Sequence, residues 1–360
     1  MAKHPLNVVV VGGGSIGGLI AHEITLAHGR TLDLKLMFKN NESANVYKRR
    51  GSQLVLDRID NYGNKKRTTS AIQGLTAEQW SKGPIKKIDN LILATKCHKS
   101  FSALSPFANL LHKDSNVLFI QNGMGLMDSI EEQFWPSSIN PRPNFYKAII
   151  THGAYKASPS IINHVGLGDM TISCYPRNPL DPHSPDTPHM IDMILKTPNL
   201  NAKYIENYNE FKLRELEKLA VNCCINPLTA IFDCLNGDLL EGSRVLNIMK
   251  SILREFVMVI KKDNPELFET LPEASSYLNI DRLLGIVTEV ATTTSKNSSS
   301  MREDMKSFGG TEIDFINGYI CRLGRKHKIG THTNNMLVWM VKSKSSIESA
   351  IDDKYTKLML

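Results

Sequence analysis

One lysine and two asparagines recur at four-residue steps in an otherwise apolar run, Lys218-Leu219-Ala220-Val221-Asn222-Cys223-Cys224-Ile225-Asn226-Pro227-Leu228-Thr229-Ala230. At about 100° per residue, a helix puts Asn222 roughly 40° and Asn226 roughly 80° around from Lys218, so the three line one side. A polar stripe on a segment too apolar for the surface suggests the wall of a cleft. A lysine placed there can protonate a substrate oxygen, and the amides can hydrogen-bond a ligand without adding charge. The plainer alternative is a solvated lysine paired with Glu215 at i−3, beside asparagines that only cap or turn the chain. Pro227 biases Asn226 away from helical geometry, and the spacing predicts that the helix kinks or ends there.

A second polar group lies nearer the end of the chain. Residues Thr292 to Ser300 are all Thr, Ser, Lys or Asn and read for the most part as a flexible loop. Gly309-Gly310-Thr311-Glu312-Ile313-Asp314 then predicts a helix start. Thr311 is its expected N-cap, and Asp314 takes the place where a capping box usually has Glu or Gln. Glu312 falls in the first turn, where the helix dipole alone would favour a carboxylate.

The N-terminus supplies the context for these groups. Leu6 to Val11 is an apolar run fit for a strand buried on both faces, and Gly12-Gly13-Gly14-Ser15-Ile16-Gly17 follows at once. The run matches GxGxxG at Gly12, Gly14 and Gly17, and helical periodicity continues through Leu19, Ile20, Ile24 and Leu26 to Gly29. In a strand–turn–helix setting these glycines allow a tight turn, close approach to a pyrophosphate and close helix packing, and free helix N–H groups face the phosphate. The next strand, Leu32 to Phe38, ends at Lys39, with Lys48, Arg49 and Arg50 downstream. An NAD site would want Asp or Glu at this tip. Cations suit a 2′-phosphate, so the expected cofactor is NADPH/NADP+, although Glu42 lies nearby and Arg49 and Arg50 are as readily explained by solvation.

Ile88 to Thr95 and Val117 to Gln121 read as further strands, ending in Lys96 and in Asn122-Gly123-Met124-Gly125. Ligands of open parallel sheets bind beyond the carboxyl ends of the strands, where Lys96 and Asn122 both fall; Asn-Gly is also a frequent turn. Tyr175 to His189, with five prolines, reads as an exposed loop. Beyond about residue 209 only helical periodicity remains: Val245, Met249, Ile252, Phe256, Val259 and Ile260; Leu283, Leu284, Val287 and Val290; Ile313, Ile316, Ile320 and Leu323. The expected fold is α/β, with a Rossmann-type dinucleotide-binding domain over residues 1–208, an all-helical substrate domain over 209–360, and a cleft between them.

Composition narrows the function classes. A chain of 360 residues can bury ample core, and no apolar run is long enough to span a membrane. The first strand begins about six residues in, which leaves no room for a cleavable leader and points to the cytoplasm. Six cysteines without a CxxC pair, two of them adjacent in the apolar run, argue for reduced packing residues rather than a metal site or a disulfide framework. The formal charge of +7 fits anionic small ligands, and the absence of an aromatic-interleaved basic patch gives no reason to expect nucleic acid.

Taken together, the chain resembles the 2-dehydropantoate 2-reductase (ketopantoate reductase) family, NADPH-dependent oxidoreductases of pantothenate biosynthesis in the coenzyme A pathway. The resemblance rests on the Gly12–Gly17 loop, Lys96, Asn122-Gly123-Met124-Gly125, the run from Lys218 to Ala230, Asn236-Gly237-Asp238-Leu239, Ser299-Ser300-Met301 and Thr311-Glu312-Ile313-Asp314-Phe315-Ile316-Asn317-Gly318. The interval from Ser300 to Glu312 also fits the family pattern. The resemblance implies that Lys218 is the general acid and that Glu312 orients lysine and substrate. It implies substrate contacts from Asn122, Asn222, Asn226 and Ser300, a place near nicotinamide and substrate for Lys96, and pyrophosphate binding by Gly12, Gly13, Gly14, Ser15, Ile16 and Gly17. Asn122 would also reach the cofactor. Lys39 falls where bacterial members commonly carry an arginine, which keeps the charge and loses the planar fork. The proline-rich loop and added residues around 60–80 exceed the compact bacterial pattern and leave a homodimer open. Two other functions compete: reduction of a different branched 2-keto acid, and a non-catalytic NADPH-binding or RNA-associated regulator on the same scaffold.

Overall fold

The computed structural model describes residues 4–59, 63–84, 86–136, 141–178 and 180–359, with side chains to residue 354. Pro179 of the proline-rich stretch and residues 60–62 of the added segment lie outside these. The chain forms two compact units, one of residues 1–121 and 127–211, the other of 122–126 and 212–360. Mixed strands and helices build the first, and helices build the second.

The strands of the first unit are β1 (Leu6–Val11), β2 (Leu32–Phe38), β3 (Gln53–Ile59), β4 (Lys65–Ala71), β5 (Gln73–Thr76), β6 (Asn90–Leu93), β7 (Asn116–Phe119), β8 (Asn144–Ile150), β9 (Gly153–Ser158), β10 (Ile161–Gly166), β11 (Met170–Tyr175) and β12 (Ala202–Tyr204). An eight-stranded sheet runs in the order β12-β11-β8-β7-β6-β1-β2-β5. It is parallel from β5 to β8, and β11 turns antiparallel to β8. The chain leaves β1 for β2 on one side and later returns to β6 on the other, which makes the carboxyl end of β1 the switch point where such sheets open a crevice. Val8 to Val11 are buried, as a strand covered on both faces requires.

The alternation of strands and helices expected from the sequence omits a second sheet, β4-β3-β10-β9. Its β4 is Lys65-Lys66-Arg67-Thr68-Thr69-Ser70-Ala71, mostly exposed and carrying little apolar signal. The sheet packs on the helix Ser15–His28, where Leu54, Leu56 and Ile162 join Leu19 and Ile20 in one core. That helix is therefore covered on sides a surface helix would leave wet, and its polar residues need internal partners. His22 lies between the hydroxyls of Thr68 and Ser70, both at 2.8 Å, and burial lowers its pKa. Glu23 accepts from Arg58 at 2.6 Å and from Asn199 at 2.7 Å. Arg58 also donates to His164 Nδ1 at 3.2 Å, which requires a neutral imidazole; burial, with Arg58 next, depresses the His164 pKa to about 4.

The helix Tyr208–Phe232, which belongs to the second unit from Lys212 on, does not end at Asn226, one of the two outcomes the sequence allows there; it runs on past Pro227 for five more residues. Proline removes the N–H that would bond the carbonyl four residues back, here that of Cys223. The fully buried Asn317 fills the gap: its Nδ2 donates to Cys223 O at 3.0 Å and to Asn334 Oδ1 at 3.0 Å. Asn334 in turn donates to Glu255 at 2.7 Å, and Glu255 accepts the first-turn amides of Thr333 and Asn334 in the helix His332–Met359. Four segments are thereby tied through one polar chain inside an apolar core that includes Leu219, Cys223, Leu253, Phe256 and Ile320.

The single helical stripe read through Ile313, Ile316, Ile320 and Leu323 is broken in two, a 3-10 turn Ile313–Phe315 and a helix Asn317–His327, with Ile316 at φ −108° and ψ −100° between them. The carbonyl of Phe315 accepts the Met124 N–H at 2.9 Å, and so leaves the helical ladder. The tract 292–300 is also more ordered than a flexible loop: Thr292 and Thr293 complete the helix Ile280–Thr293, and the Asn236 and Gly237 amides bond Asn297 O and Ser295 O at 3.0 and 3.1 Å. Replacing Asn317 by Ala should lower unfolding free energy in urea by about 1–3 kcal/mol, because it strands a buried carbonyl. The loss should shrink in a Pro227→Ala background, where a backbone N–H returns to Cys223 O; equal losses in the two backgrounds would sever the link between these residues.

Candidate functional site

In the first unit the glycine turn is set by sterics. Gly12 sits at φ +116°, and a Cβ there would lie 2.7 Å from the carbonyl carbon and oxygen of Ala94, just beyond β6. A Cβ on Gly17 would fall 2.0 Å from Gly12 O. The turn can therefore close at the switch point only with glycine at both places. Gly14 differs: a Cβ there would meet nothing within 4 Å. It is the N-cap of Ser15–His28 and has no side chain to occupy the first-turn amides, a combination suited to a phosphate. The loop thus fits the dinucleotide that its sequence predicts.

Around it stand the expected basic residues. Lys39 is exposed directly after β2. Asn40 then caps the helix Asn41–Arg49 by accepting from Ser43 N at 3.0 Å, so Glu42 has the helix dipole as a sufficient reason for its place. Lys48 donates to Gln79 at 3.2 Å and Arg50 to Ser158 Oγ at 2.7 Å, tying this corner to neighbouring segments. Lys96 is half-buried at the N-cap of Cys97–Ala108.

The other expected residues lie on four segments of the second unit. Lys218 and Asn222 are half-buried, and Asn226 is 7% exposed on the same helix. Glu215, three residues before Lys218, is itself buried. The Asn122 segment is held to this unit by the Met124–Phe315 bond, and a Cβ on Gly123 would come within 2.4 Å of Phe315 O, so glycine is required for that approach. Phe315 N–H reaches back to Glu312 O at 2.9 Å, which places the Asn122 turn beside the Glu312 segment. Glu312 is only 4% exposed. It occupies the cap position of the 3-10 turn, where Thr311 was expected. Asp314 is not a capping partner of Thr311: its carboxylate pairs with Lys342 at 2.8 Å.

Ser300 is exposed at the first position of the helix Ser300–Lys306. Its neighbour Ser299, which sequence reasoning passed over, is buried, caps that helix by accepting from Arg302 N at 3.2 Å, and bonds Thr229 Oγ1 at 2.7 Å. Thr229 also donates to Ile225 O and Asn226 O. Ser300 is thus brought to the Asn226 end of the polar stripe through two hydroxyls. Asn317 was likewise missed, although the N–H that Pro227 lacks was a signal that some side chain must serve Cys223 O. Burial pushes the Cys223 and Cys224 thiols well up, in keeping with packing rather than reactivity. Among the described residues no group of three or more His, Cys, Asp or Glu side chains could hold a metal ion, and no helix is long and apolar enough to cross a membrane.

The two glycines separate folding from binding. Gly17→Ala should unfold or fail to accumulate, whereas Gly14→Ala should melt like the parent and lose NADPH binding in a fluorescence titration by about tenfold or more, since its methyl would stand where a phosphate approaches. Unchanged binding by Gly14→Ala would move the phosphate away from this turn.

Comparison with known proteins agrees with this arrangement. Residues 8–177 match the family model described as Ketopantoate reductase PanE/ApbA, and residues 210–345 match Ketopantoate reductase PanE/ApbA C terminal. The probable 2-dehydropantoate 2-reductase of Schizosaccharomyces pombe is 34% identical over 94% of this chain and 96% of its own length. The 2-dehydropantoate 2-reductase of Saccharomyces cerevisiae is 28% identical over 89% of each. Among solved structures, the probable 2-dehydropantoate 2-reductase from Bacillus subtilis superposes with a TM-score of 0.70 at 23% identity, covering 94% of this chain and all of that one. D-mandelate dehydrogenase with NADH and anilino(oxo)acetate has the same fold, with a TM-score of 0.74 at 22% identity over 95% of this chain and 99% of that one. A glycine turn at the sheet's switch point, a helical unit carrying the lysine–asparagine face, and matches along nearly the whole chain place this protein in the ketopantoate reductase family.

Proposed function

We propose that this protein reduces the ketone of 2-dehydropantoate to give pantoate, using NADPH, and so serves pantothenate synthesis. The observation that carries the reading is a family match along nearly the whole chain combined with a buried carboxylate, Glu312, and a half-buried lysine in one helical unit. NADPH, when bound, supplies a hydride from its nicotinamide C4 to the ketone carbon. The rest falls to side chains. Gly12, Gly13, Gly14, Ser15, Ile16 and Gly17 take the pyrophosphate, Lys39 the 2′-phosphate, and Lys96 and Asn122 the region between nicotinamide and substrate.

Negative charge grows on the ketone oxygen as the hydride arrives. In this reading Lys218 places its ammonium there, first as a stabilising charge and then as proton donor. Glu312 orients the lysine and the substrate. The substrate's own carboxylate and hydroxyl are then held by Asn122, Asn222, Asn226 and Ser300, uncharged donors that orient it without competing with Lys218 for charge.

A cytoplasmic homodimer belongs to the same proposal. Met336, Trp339, Met340, Ile347 and Ile351 are exposed on the helix His332–Met359, the kind of apolar face that self-association buries. A related ketopantoate reductase from Staphylococcus aureus, 16% identical, is described as dimeric.

Purified protein should oxidise NADPH in the presence of ketopantoate, followed at the NADPH absorbance band. Lys218→Ala should lower kcat by about two orders of magnitude or more, and Glu312→Ala should damage kcat and KM together. Full activity in Lys218→Ala would overturn the assignment of the proton donor. Tight NADPH binding with no turnover would point instead to another 2-keto acid or to a regulator. Lys39→Asp should shift preference towards NADH in the same assay; unaltered selectivity would remove Lys39 from the 2′-phosphate site.

A further inference from the structure

We propose that Lys156, contributed by the small second sheet, is a further cation of the cofactor's 2′-phosphate seat, acting with Lys39 beside the glycine turn. The inference rests on the dinucleotide reading of Gly12–Gly17 and adds a specificity-determining residue that neither the sequence pattern nor the family match singles out. Lys156 lies on β9, 143 residues from the turn in sequence, yet its Nζ donates to Gly13 O and stands 5.7 Å from the centroid of the Phe38 ring. Phe38 is the last residue of β2, and its ring also covers Gly13: a Cβ added there would lie 3.3 Å from the ring edge. Gly13, Phe38, Lys39 and Lys156 therefore share one locus, between the phosphate-binding turn and the tip of β2. In a dinucleotide-binding sheet, that is where the adenosine ribose and its 2′ substituent are read.

Electrostatics point the same way. Packing around the Lys156 ammonium, and after it the positive charge of Lys39, pull its pKa below the ordinary lysine value. The residue as a whole is exposed, so this dehydration is partial. Two ammonium groups held close enough to repel are unfavourable by themselves, and a phosphate carrying up to two negative charges converts that repulsion into attraction to a shared ligand. Nζ has three protons and Gly13 O takes one, which leaves donors for phosphate oxygens. The Phe38 ring below Nζ favours the cation by its quadrupole. Arg50 fixes the strand itself, donating to Ser158 Oγ at the end of β9 and so locking Lys156 to the corner that begins with Lys39. One lysine alone offers a point charge without the planar fork of arginine; a second, from another direction, supplies the missing donor.

The test uses adenosine 2′,5′-bisphosphate and 5′-AMP as probes, titrated calorimetrically into the full-length protein. Lys156→Met keeps an unbranched side chain of similar length and removes the charge. It should weaken 2′,5′-bisphosphate binding by about tenfold and leave 5′-AMP binding unchanged, while Lys156→Arg retains both. The salt dependence of bisphosphate binding should flatten in Lys156→Met, because one fewer cation meets the ligand. Undiminished bisphosphate binding in Lys156→Met overturns the proposal. Equal weakening of both probes overturns it too, and assigns Lys156 to shaping the turn through Gly13 O. If the parent protein binds neither probe, the dinucleotide reading fails and takes this inference with it.

Discussion

A proline inside the last turns of a long helix dictates much of the second unit. Pro227 cannot donate to Cys223 O, and helix continuation past it means that a buried carbonyl must find its hydrogen bond elsewhere. Asn317 supplies it, and Asn317 can do so only because the chain breaks at Ile316 and restarts a helix at Asn317. That break in turn frees Phe315 O for Met124 N–H, which brings the Asn122 turn into the unit. One missing N–H thus accounts for why three segments far apart in sequence are registered against one another. The register matters because each segment carries residues assigned to the site: Lys218, Asn222 and Asn226 on the helix, Glu312 just before the break, and Asn122 on the turn.

In the first unit the corresponding constraint is space. Gly12 and Gly17 meet backbone at distances that exclude any side chain, so strand, turn and helix close as one body. The helix that follows is enclosed by two sheets, which obliges its polar residues His22 and Glu23 to be satisfied internally. The small sheet therefore has two roles. It covers the far side of the helix, and through β9 it brings Lys156 back to the turn.

Much of this was legible in the residues. The apolar runs located β1 and β2 to the residue, and the helical spacing read after about residue 209 corresponds to the helices from Tyr208 onward. The helix Val245–Asp263 follows its apolar stripe. What escaped was governed by tertiary bonds that no local pattern encodes. Strand β4 is polar and mostly exposed, so no apolar pattern marks it; it is fixed by pairing with β3 and by the bonds of Thr68 and Ser70 to His22. Of the two outcomes that Pro227 suggests, a kink or an end at Asn226, the end does not occur, and the carbonyl left without its partner is served by a side chain ninety-one residues away in sequence from Asn226, at Asn317. Thr311 looked like a cap because Ser/Thr followed by an acidic residue fits that pattern, yet Lys342 claims Asp314 instead. Ser299 and Ser300 are indistinguishable by composition, and only the fold separates a buried cap from an exposed neighbour.

The residues that break local rules fall together. A helix-interior proline carries a cost of about 3 kcal/mol or more, a buried carboxylate and a buried amide must be satisfied, and two neighbouring lysines repel. A sequence shaped for stability alone would replace each of them with a better-behaved residue. Here Pro227 immediately follows Asn226, Glu312 lies four residues before the break at Ile316, and Lys156, close enough to Lys39 to feel its charge, donates to Gly13 O of the glycine turn. Such violations are retained where a ligand's charge or a reacting atom gives them a purpose. Their coincidence with the family's expected positions is a physical argument for the site that stands beside the sequence match. It also extends to Lys156, which no motif had marked.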